Sequence, residues 1–434
     1  MNRELANQFL DQYQFGVRHI DMQKEMGLFL LSMEEGLQAG PKGMEMIPTW
    51  LGPPNNLPTE EKVIVMDMGG SNVRVAVADF NREGEVELSH FQKYEMPGSN
   101  SPCTKEQFLD SMVEFLRPVL GESDRVGICF SYEVEILPNH DGRILHFTKE
   151  VEVPEMEGAL LGESLRAALN ERGLDSDIKV VVLNDTVAAL LGGAAARGDR
   201  VFDNYIGIIM GTGMNAAYVE AVDRVAKLEQ GFYCDTMIIN MEAGGYSIVN
   251  RSSIDQKLDE ASNMPGYHKF EKMIAGRYQG PIGHALITAA ISEGLFSKTF
   301  TERFKACESL SSRDLDMFLY RPFGANRLAE LCESDADREI LTILISAIFE
   351  RAACLVALAL GGILTKMDAG RSPIRPCLIT IEGTTYDKSK LFKDMLVAYM
   401  HSFVQKSLGR YYEFVQVENS NLIGTALATV ANSK

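Results

Sequence analysis

The sequence predicts an α/β protein of two domains, built as two similar halves that face each other. Three observations predict it. The chain has 434 residues, more than one compact core ordinarily holds. Short β-like apolar runs alternate with stretches at helical spacing along it. A strand hairpin closed by glycine and a hydroxyl occurs twice, at residues 63–80 and 204–221, about 140 residues apart. That interval is far too long for a solenoid repeat.

Residues 6–38 place Phe9, Leu10, Tyr13, Val17 and Ile20, then Leu28 and Leu31, at helical spacing, with Gly36 and Gly40 expected to end the helices. GPPNNLPTEEK (52–62) is turn-rich and polar and reads as a linker. The first hairpin follows at 63–80, then a strand at 86–96, a helix at 104–120 and a strand at 125–134. A helix at 158–173 precedes the β run KVVVLND (179–185), which passes at once into the helical TVAALLGGAAARG. A strand that ends in polar residues and runs into a helix is where α/β folds place ligands. The second hairpin spans 204–221, and residues 255–350 read mostly as helix. The stretch 355–367 follows Glu350 and Arg351; it reads as a core helix, too short by itself to span a bilayer. Residues 376–404 are strand, glycine turn and helix, and 422–431 form a closing helix.

Composition narrows the function. A net charge of −18 argues against a nucleic-acid or anionic-membrane partner, so any phosphate site must be built locally from backbone N–H groups, a few cations or a metal. Seven scattered cysteines with no CxxC or CxC pair fit a reducing compartment and give no zinc site. The N-terminal MNRELANQFLDQYQF lacks the apolar core of a signal peptide. A soluble, cytoplasmic protein is expected.

Three glycine-hydroxyl turns stand out: GGSN (69–72), GTGMN (211–215) and EGTT (382–385), each after a β run. Glycine lets the backbone approach a ligand, and hydroxyls and free N–H groups hydrogen-bond phosphate oxygens. Any one of them equally suits an ordinary turn. No Walker loop and no GxGxxG is present.

These motifs, with the segments around them, resemble the eukaryotic-type hexokinase family of the actin-like ATPase superfamily, from about Met44 to Ala431. Asp67-Met68-Gly69-Gly70-Ser71-Asn72-Val73-Arg74-Val75 resembles the family's first phosphate motif, D-x-G-G-T-N-x-R-V. GTGMNAAYVE (211–220) resembles the second, and ITIEGTTY (379–386) the adenosine motif. FTKEV (147–151), LNDTVA (183–188), INMEAGGYS (239–247) and PGYHKFEKMIAGRY (265–278) resemble its sugar-site segments. The resemblance is not to the repressor-type bacterial sugar kinases, whose cysteine zinc cluster this chain lacks.

The resemblance implies an actin-like (ribonuclease H-like) α/β fold with a deep interdomain cleft. The small domain would be residues 59–187 plus 416–434, the large domain 1–58 plus 188–415. It implies transfer of the γ-phosphoryl of ATP to a hexose 6-hydroxyl, glucose first, with fructose, mannose or an amino sugar as other substrates and a non-catalytic sugar sensor as the rival reading. Asp67 would hold the Mg²⁺ of Mg-ATP through water. Gly69, Gly70, Ser71, Asn72, Arg74, Gly211, Thr212 and Gly213 would face the phosphates, and Gly383 and Thr384 the nucleoside. Asp185 would be the catalytic base, and Lys149 would neutralise charge on the moving phosphoryl group. On its own, Asp185 reads equally as a helix N-cap and Lys149 as a surface lysine.

A hexose offers hydroxyls that both donate and accept, so its site should be rich in carboxylates and amides. Ser131, Thr148, Asn184, Asn215, Glu242 and Glu271 match the sugar-site segments. Glu242 lies in apolar IINMEAGG, where an unpaired charge is costly. Glu271 alone would read as a solvated helix face. Three departures stand against the family pattern. Ser131-Tyr132-Glu133-Val134 replaces S-F-P-V, which loosens the Ser131 loop. Ala243 replaces an aromatic, and Ser420-Asn421-Leu422-Ile423-Gly424-Thr425 replaces G-S-G-K-G-A, which removes expected nucleotide contacts from the closing helix.

Overall fold

The computed structural model describes residues 2–38, 43–54, 57–147, 151–228 and 231–433. Helices Asn2–Gln12 and Met22–Leu37 come first, then β1 (Ile47–Pro48), β2 (Glu61–Gly69), β3 (Asn72–Phe80) and β4 (Val86–Glu95). Helix Lys105–Leu116 leads to β5 (Arg125–Phe130), β6 (Glu133–Ile136) and β7 (Gly142–His146). Helix Leu161–Glu171 precedes β8 (Lys179–Leu183), helix Asp185–Ala195, β9 (Tyr205–Met210), β10 (Met214–Ala221) and β11 (Thr236–Asn240). A run of helices ends in Asp335–Lys366, and β12 (Cys377–Glu382), β13 (Tyr412–Val415) and helix Ser420–Asn432 complete the chain.

Two sheets share one topology. The five-stranded sheet runs β4-β3-β2-β5-β8, and the six-stranded sheet runs β11-β10-β9-β12-β13 with β1 added at the β11 edge. In each, the hairpin pairs are antiparallel and the last two strands join in parallel. This repeated order is the actin-like fold, and it explains the echo between the two glycine hairpins: each is the first hairpin of its own sheet.

Helix Asp185–Ala195 packs on the six-stranded sheet and helix Ser420–Asn432 on the five-stranded one, and the two helices pack against each other. Their crossing is backbone-close. A Cβ on Gly424 would lie 1.8 Å from the Ala188 carbonyl oxygen, and one on Gly192 2.4 Å from that of Ser420.

Several sequence expectations change. The strand expected at 125–134 is two strands, broken at Ser131-Tyr132, and β6 pairs with β7 rather than extending the sheet. Gly36 does not end its helix; it lies within Met22–Leu37, where a Cβ would meet the Met44 carbonyl oxygen at 2.1 Å. Gly40 lies outside the described residues. The apolar stretch 355–367 belongs to a 32-residue helix, long and apolar enough by length and composition to cross a membrane, but 83% of its apolar window is buried inside the protein. Burial, not length, is what makes it a core helix. Its one buried cation, Arg351, is held by Asp255 at 2.7 and 2.9 Å and lies 3.9 Å over the Phe15 ring, so its charge is matched within the core.

Candidate active site

The glycine hairpin of the five-stranded sheet turns on two residues, with Gly69 paired to Asn72 and Gly70 at φ 42°, a backbone angle that favours glycine. Asp67, near the end of β2, is buried, and Arg74 on β3 binds its Oδ2 through Nε at 2.9 Å and through a second guanidinium nitrogen. Asp67 Oδ1 is buried with no hydrogen-bond partner among the described residues. A buried carboxylate oxygen with an unfilled lone pair fits a hydrated divalent cation, because such an oxygen is costly unless something donates to it.

Tyr132, just past β5, donates its hydroxyl to the Gly70 carbonyl at 2.9 Å. Its ring packs with Phe130 and Phe147, centroids 5.1 and 5.3 Å away. Burial and the nearby Asp67 charge push its hydroxyl well above the usual range. The loop that carries Ser131, expected to be loosened by loss of a proline, is thus pinned by an aromatic cluster and a hydrogen bond to the Gly69–Asn72 turn. The Ser131 N–H also donates to the Met68 carbonyl at 3.0 Å.

After β8, Asn184 Oδ1 accepts from the Thr186 N–H at 2.9 Å and caps helix Asp185–Ala195. Asp185 is therefore the first helical residue and not the cap. The Thr186 hydroxyl donates to its Oδ1 at 3.1 Å.

Across the cleft, the second hairpin turns on Gly211-Thr212-Gly213, and Glu271 reaches this turn. Its Oε2 accepts from the Met214 N–H at 3.0 Å, and a Cβ on Gly213 would lie 2.7 Å from the same oxygen. Glu271 is not a solvated helix residue. Glu242, at φ 49°, accepts on Oε1 from Asn240 Nδ2 at 2.8 Å and from Asn215 Nδ2 at 3.3 Å. Burial pushes its carboxyl up to about 7, against the Asn240 hydrogen bond, which lowers it. The third turn backs onto the second. Gly383, at φ 118°, would place a Cβ 2.3 Å from the Met210 carbonyl oxygen, and the Gly211 carbonyl accepts from Gly276 N–H and Thr385 Oγ1, both at 2.9 Å.

Three cavities result. The central one, of about 290 Å³, is lined from one half by Ser131, Tyr132, Glu133, Asn184 and Asp185, and from the other by Thr212, Gly213, Asn215, Glu242, Tyr267, His268 and Glu271. A second, of about 320 Å³, is lined by Asp67, Gly69, Asn72, Arg74, Lys93, Ser131, Asp185 and Asn421. A third, of about 840 Å³, includes Gly211, Thr212, Arg277, Arg313, Thr384 and Lys388. Ser131 and Asp185 belong to both the first and the second, and Thr212 and Arg277 to both the first and the third. Gly70 and Ser71 form the first turn itself; the Ser71 hydroxyl accepts from Asn72 Nδ2 at 2.9 Å. Thr148 and Lys149 lie outside the described residues.

The sequence did not assign Lys93, Asn240, His268 or Arg277 to the site, and it offered Tyr132, Glu133 and Asn421 only as departures from the family pattern. Lys93 was legible in principle, since it stands opposite Arg74 in the β3–β4 register. Asn421 puts the closing helix beside the Gly69–Asn72 turn despite its altered sequence, and its Oδ1 is buried without a partner among the described residues.

Two family models, both described as hexokinase, match residues 7–195 and 205–431. Hexokinase-1 of Schizosaccharomyces pombe is 25% identical over 430 residues, covering 94% of this chain and 86% of that one. Hexokinase-1 of Spinacia oleracea is 27% identical, covering 93% and 86%. Among solved structures, a hexokinase from Schistosoma mansoni complexed with glucose superimposes over 100% of both chains with a TM-score of 0.79 at 21% identity. A ROK family glucokinase from Streptomyces griseus in complex with glucose and AMPPNP covers 84% of this chain and 98% of its own at a TM-score of 0.50 and 16% identity.

Proposed function

This chain belongs to the hexokinase family and is a hexokinase-type phosphotransferase acting on a hexose; from that premise we propose that it transfers the γ-phosphoryl of Mg-ATP to a hexose 6-hydroxyl, glucose first, with Asp185 as general base. The single observation that carries this reading is that Asp185 lines both the central cavity and the cavity beside Asp67. A base must touch the acceptor hydroxyl on one side while the phosphoryl group stands on the other, and only a residue shared by two such cavities does both.

The hexose occupies the central cavity, with Asn184, Asn215, Glu242 and Glu271 as hydrogen-bond partners for its hydroxyls. The triphosphate runs from the Gly69–Asn72 turn to the Gly211–Gly213 turn, and the nucleoside sits beside Thr384. Asp67 Oδ1 would hold a hydrated Mg²⁺ ion, with Arg74 fixing the carboxylate; when bound, that ion would neutralise charge on the phosphate oxygens. Asp185 takes the proton of the 6-hydroxyl as that oxygen bonds to the γ-phosphorus and the bond from that phosphorus to the β,γ-bridging oxygen breaks, releasing ADP. Burying the hydroxyl between two halves keeps water from competing for the phosphoryl group.

The test is a coupled assay for ADP release with ATP and a panel of glucose, fructose, mannose and glucosamine. Glucose-dependent turnover supports the reading. Sugar binding by calorimetry without turnover on any member would replace it with a sugar sensor.

A further inference from the structure

Glu133 and His268 line the central cavity from opposite halves. Glu133 opens β6, whose hairpin packs with the core of the five-stranded sheet. His268 belongs to the other half, immediately before helix Lys269–Ile274. It is held at φ 48°, a left-handed angle that costs energy outside glycine and persists where the surroundings enforce it. Its ring stacks on Tyr267 with centroids 4.2 Å apart and planes 16° apart, and its Nδ1 lies 3.7 Å from Glu271 Oε1. The ring is therefore fixed in plane and direction. Glu133, by contrast, is half-buried yet makes no ion pair within 4.0 Å among the described residues.

We propose that Glu133 and His268 are positioning residues that form an ion pair across the cleft when a hexose is bound, drawing the two halves together over it. The proposal rests on the hexose-kinase reading for its ligand, but not on Asp185 or on ATP. Three facts carry it. The two side chains line one cavity from opposite halves. The carboxylate makes no ion pair within 4.0 Å among the described residues. The imidazole is already oriented there by Tyr267 and Glu271. Two other cations line this wall, Lys272 and Arg277; Lys272 is engaged with Asp259 at 2.6 Å and the Met264 carbonyl at 2.6 Å, so it does not serve Glu133.

Electrostatics favour the charge on His268, and that charge favours ionised Glu133. The carboxylates facing His268 are Glu271, Glu242 and Glu133, and together they raise its pKa against the opposing effect of burial. The groups facing Glu133 are Glu45, His268, His146 and Glu271; burial and the Glu45 and Glu271 charges raise its carboxyl on balance, and the two histidines oppose that. A protonated His268 beside an ionised Glu133 satisfies both, and closing the cleft strengthens the attraction by removing water between them.

The experiment is a double-mutant cycle on glucose binding, read by titration calorimetry of the full chain, with circular dichroism confirming the fold of each variant. Glu133→Gln and His268→Gln each keep hydrogen-bonding capacity and lose the charge. Each single variant should weaken glucose binding about 3- to 10-fold, and the double variant should be no weaker than either single one. The wild-type advantage over His268→Gln should shrink as pH rises and the ring loses its proton. Single effects that multiply in the double variant, single effects of less than about 1.5-fold, or an advantage that does not change with pH would each overturn the proposal. Glucose that binds without being phosphorylated sinks the kinase reading and leaves the cycle fully readable.

Discussion

The hydroxyl of Tyr132 donates to the Gly70 carbonyl at 2.9 Å, tying the loop that carries Ser131 to the Gly69–Asn72 turn. One side chain thus holds two walls of the site at a fixed spacing. Tyr132→Phe keeps the ring packing and deletes this bond. Loss of one buried hydrogen bond costs about 0.5–1.5 kcal/mol. The melting temperature should fall by a few degrees, and the KM for ATP should rise by roughly 2- to 10-fold. Unchanged values of both would show that the bond does not position the turn.

Asn184 caps the helix that Asp185 begins, so Asp185→Asn leaves the cap in place and the fold intact. Loss of the base should lower kcat by about 10²- to 10⁴-fold with little change in sugar binding. Near-normal turnover in a folded variant would refute the base assignment.

Glu242 sets the acid side of the pH profile. Its carboxyl is raised to about 7, so it is mostly protonated below that pH and ionised above it. A carboxylate accepts hydroxyl hydrogen bonds roughly twice as strongly as a neutral group. Affinity for the hexose should therefore fall as pH drops through about 7. In Glu242→Gln this acid limb should vanish while affinity at pH 8 is reduced. For stability the sign is opposite: a raised carboxyl favours the folded state while protonated, and that contribution is lost as pH rises through about 7. A wild-type acid limb that persists unchanged in the Gln variant would assign it to another group.

Trp50 is the only tryptophan, sits at φ 58° in the connector between the first helices and β2, and packs against the cores of both halves. Its ring lies 6.3 Å from Phe232 in an edge-on arrangement. A residue touching both cores senses their relative movement. Saturating glucose should change the tryptophan emission, and ATP alone should do so much less. With glucose binding confirmed by calorimetry, an unchanged spectrum would rule Trp50 out as a reporter; unchanged small-angle scattering as well would rule out closure.

Gly424 stands where the two central helices cross, with 1.8 Å between an added Cβ and the Ala188 carbonyl oxygen. Gly424→Ala must push backbone aside and should cost about 1–3 kcal/mol. A melting temperature equal to wild type would mean that the crossing yields without cost.

The amino-acid sequence by itself determined the local chemistry. Two hairpins with glycine turns, a strand ending in Asn184-Asp185 and a third glycine turn after β12 are encoded by residues adjacent in the chain, because turn conformation and strand alternation are short-range properties. Those features were enough to read the fold class and to place the three glycine turns at strand ends. Tertiary structure decided which of them share a wall. Glu271 reads as a solvated helix residue until the chain brings Met214 and Gly213 beside it, 57 positions away. Asp185 and Asn184 both suit a cap, and only packing assigns the cap to Asn184 and leaves Asp185 between two cavities. Tyr132 and Glu133 register in the sequence only as departures from a family pattern; the Gly70 carbonyl and His268 that give them meaning lie on other elements. The physical reason is that backbone conformation is set by neighbours in sequence. Hydrogen bonding, desolvation and charge at a site are set by whatever distant segments the packed core carries into contact.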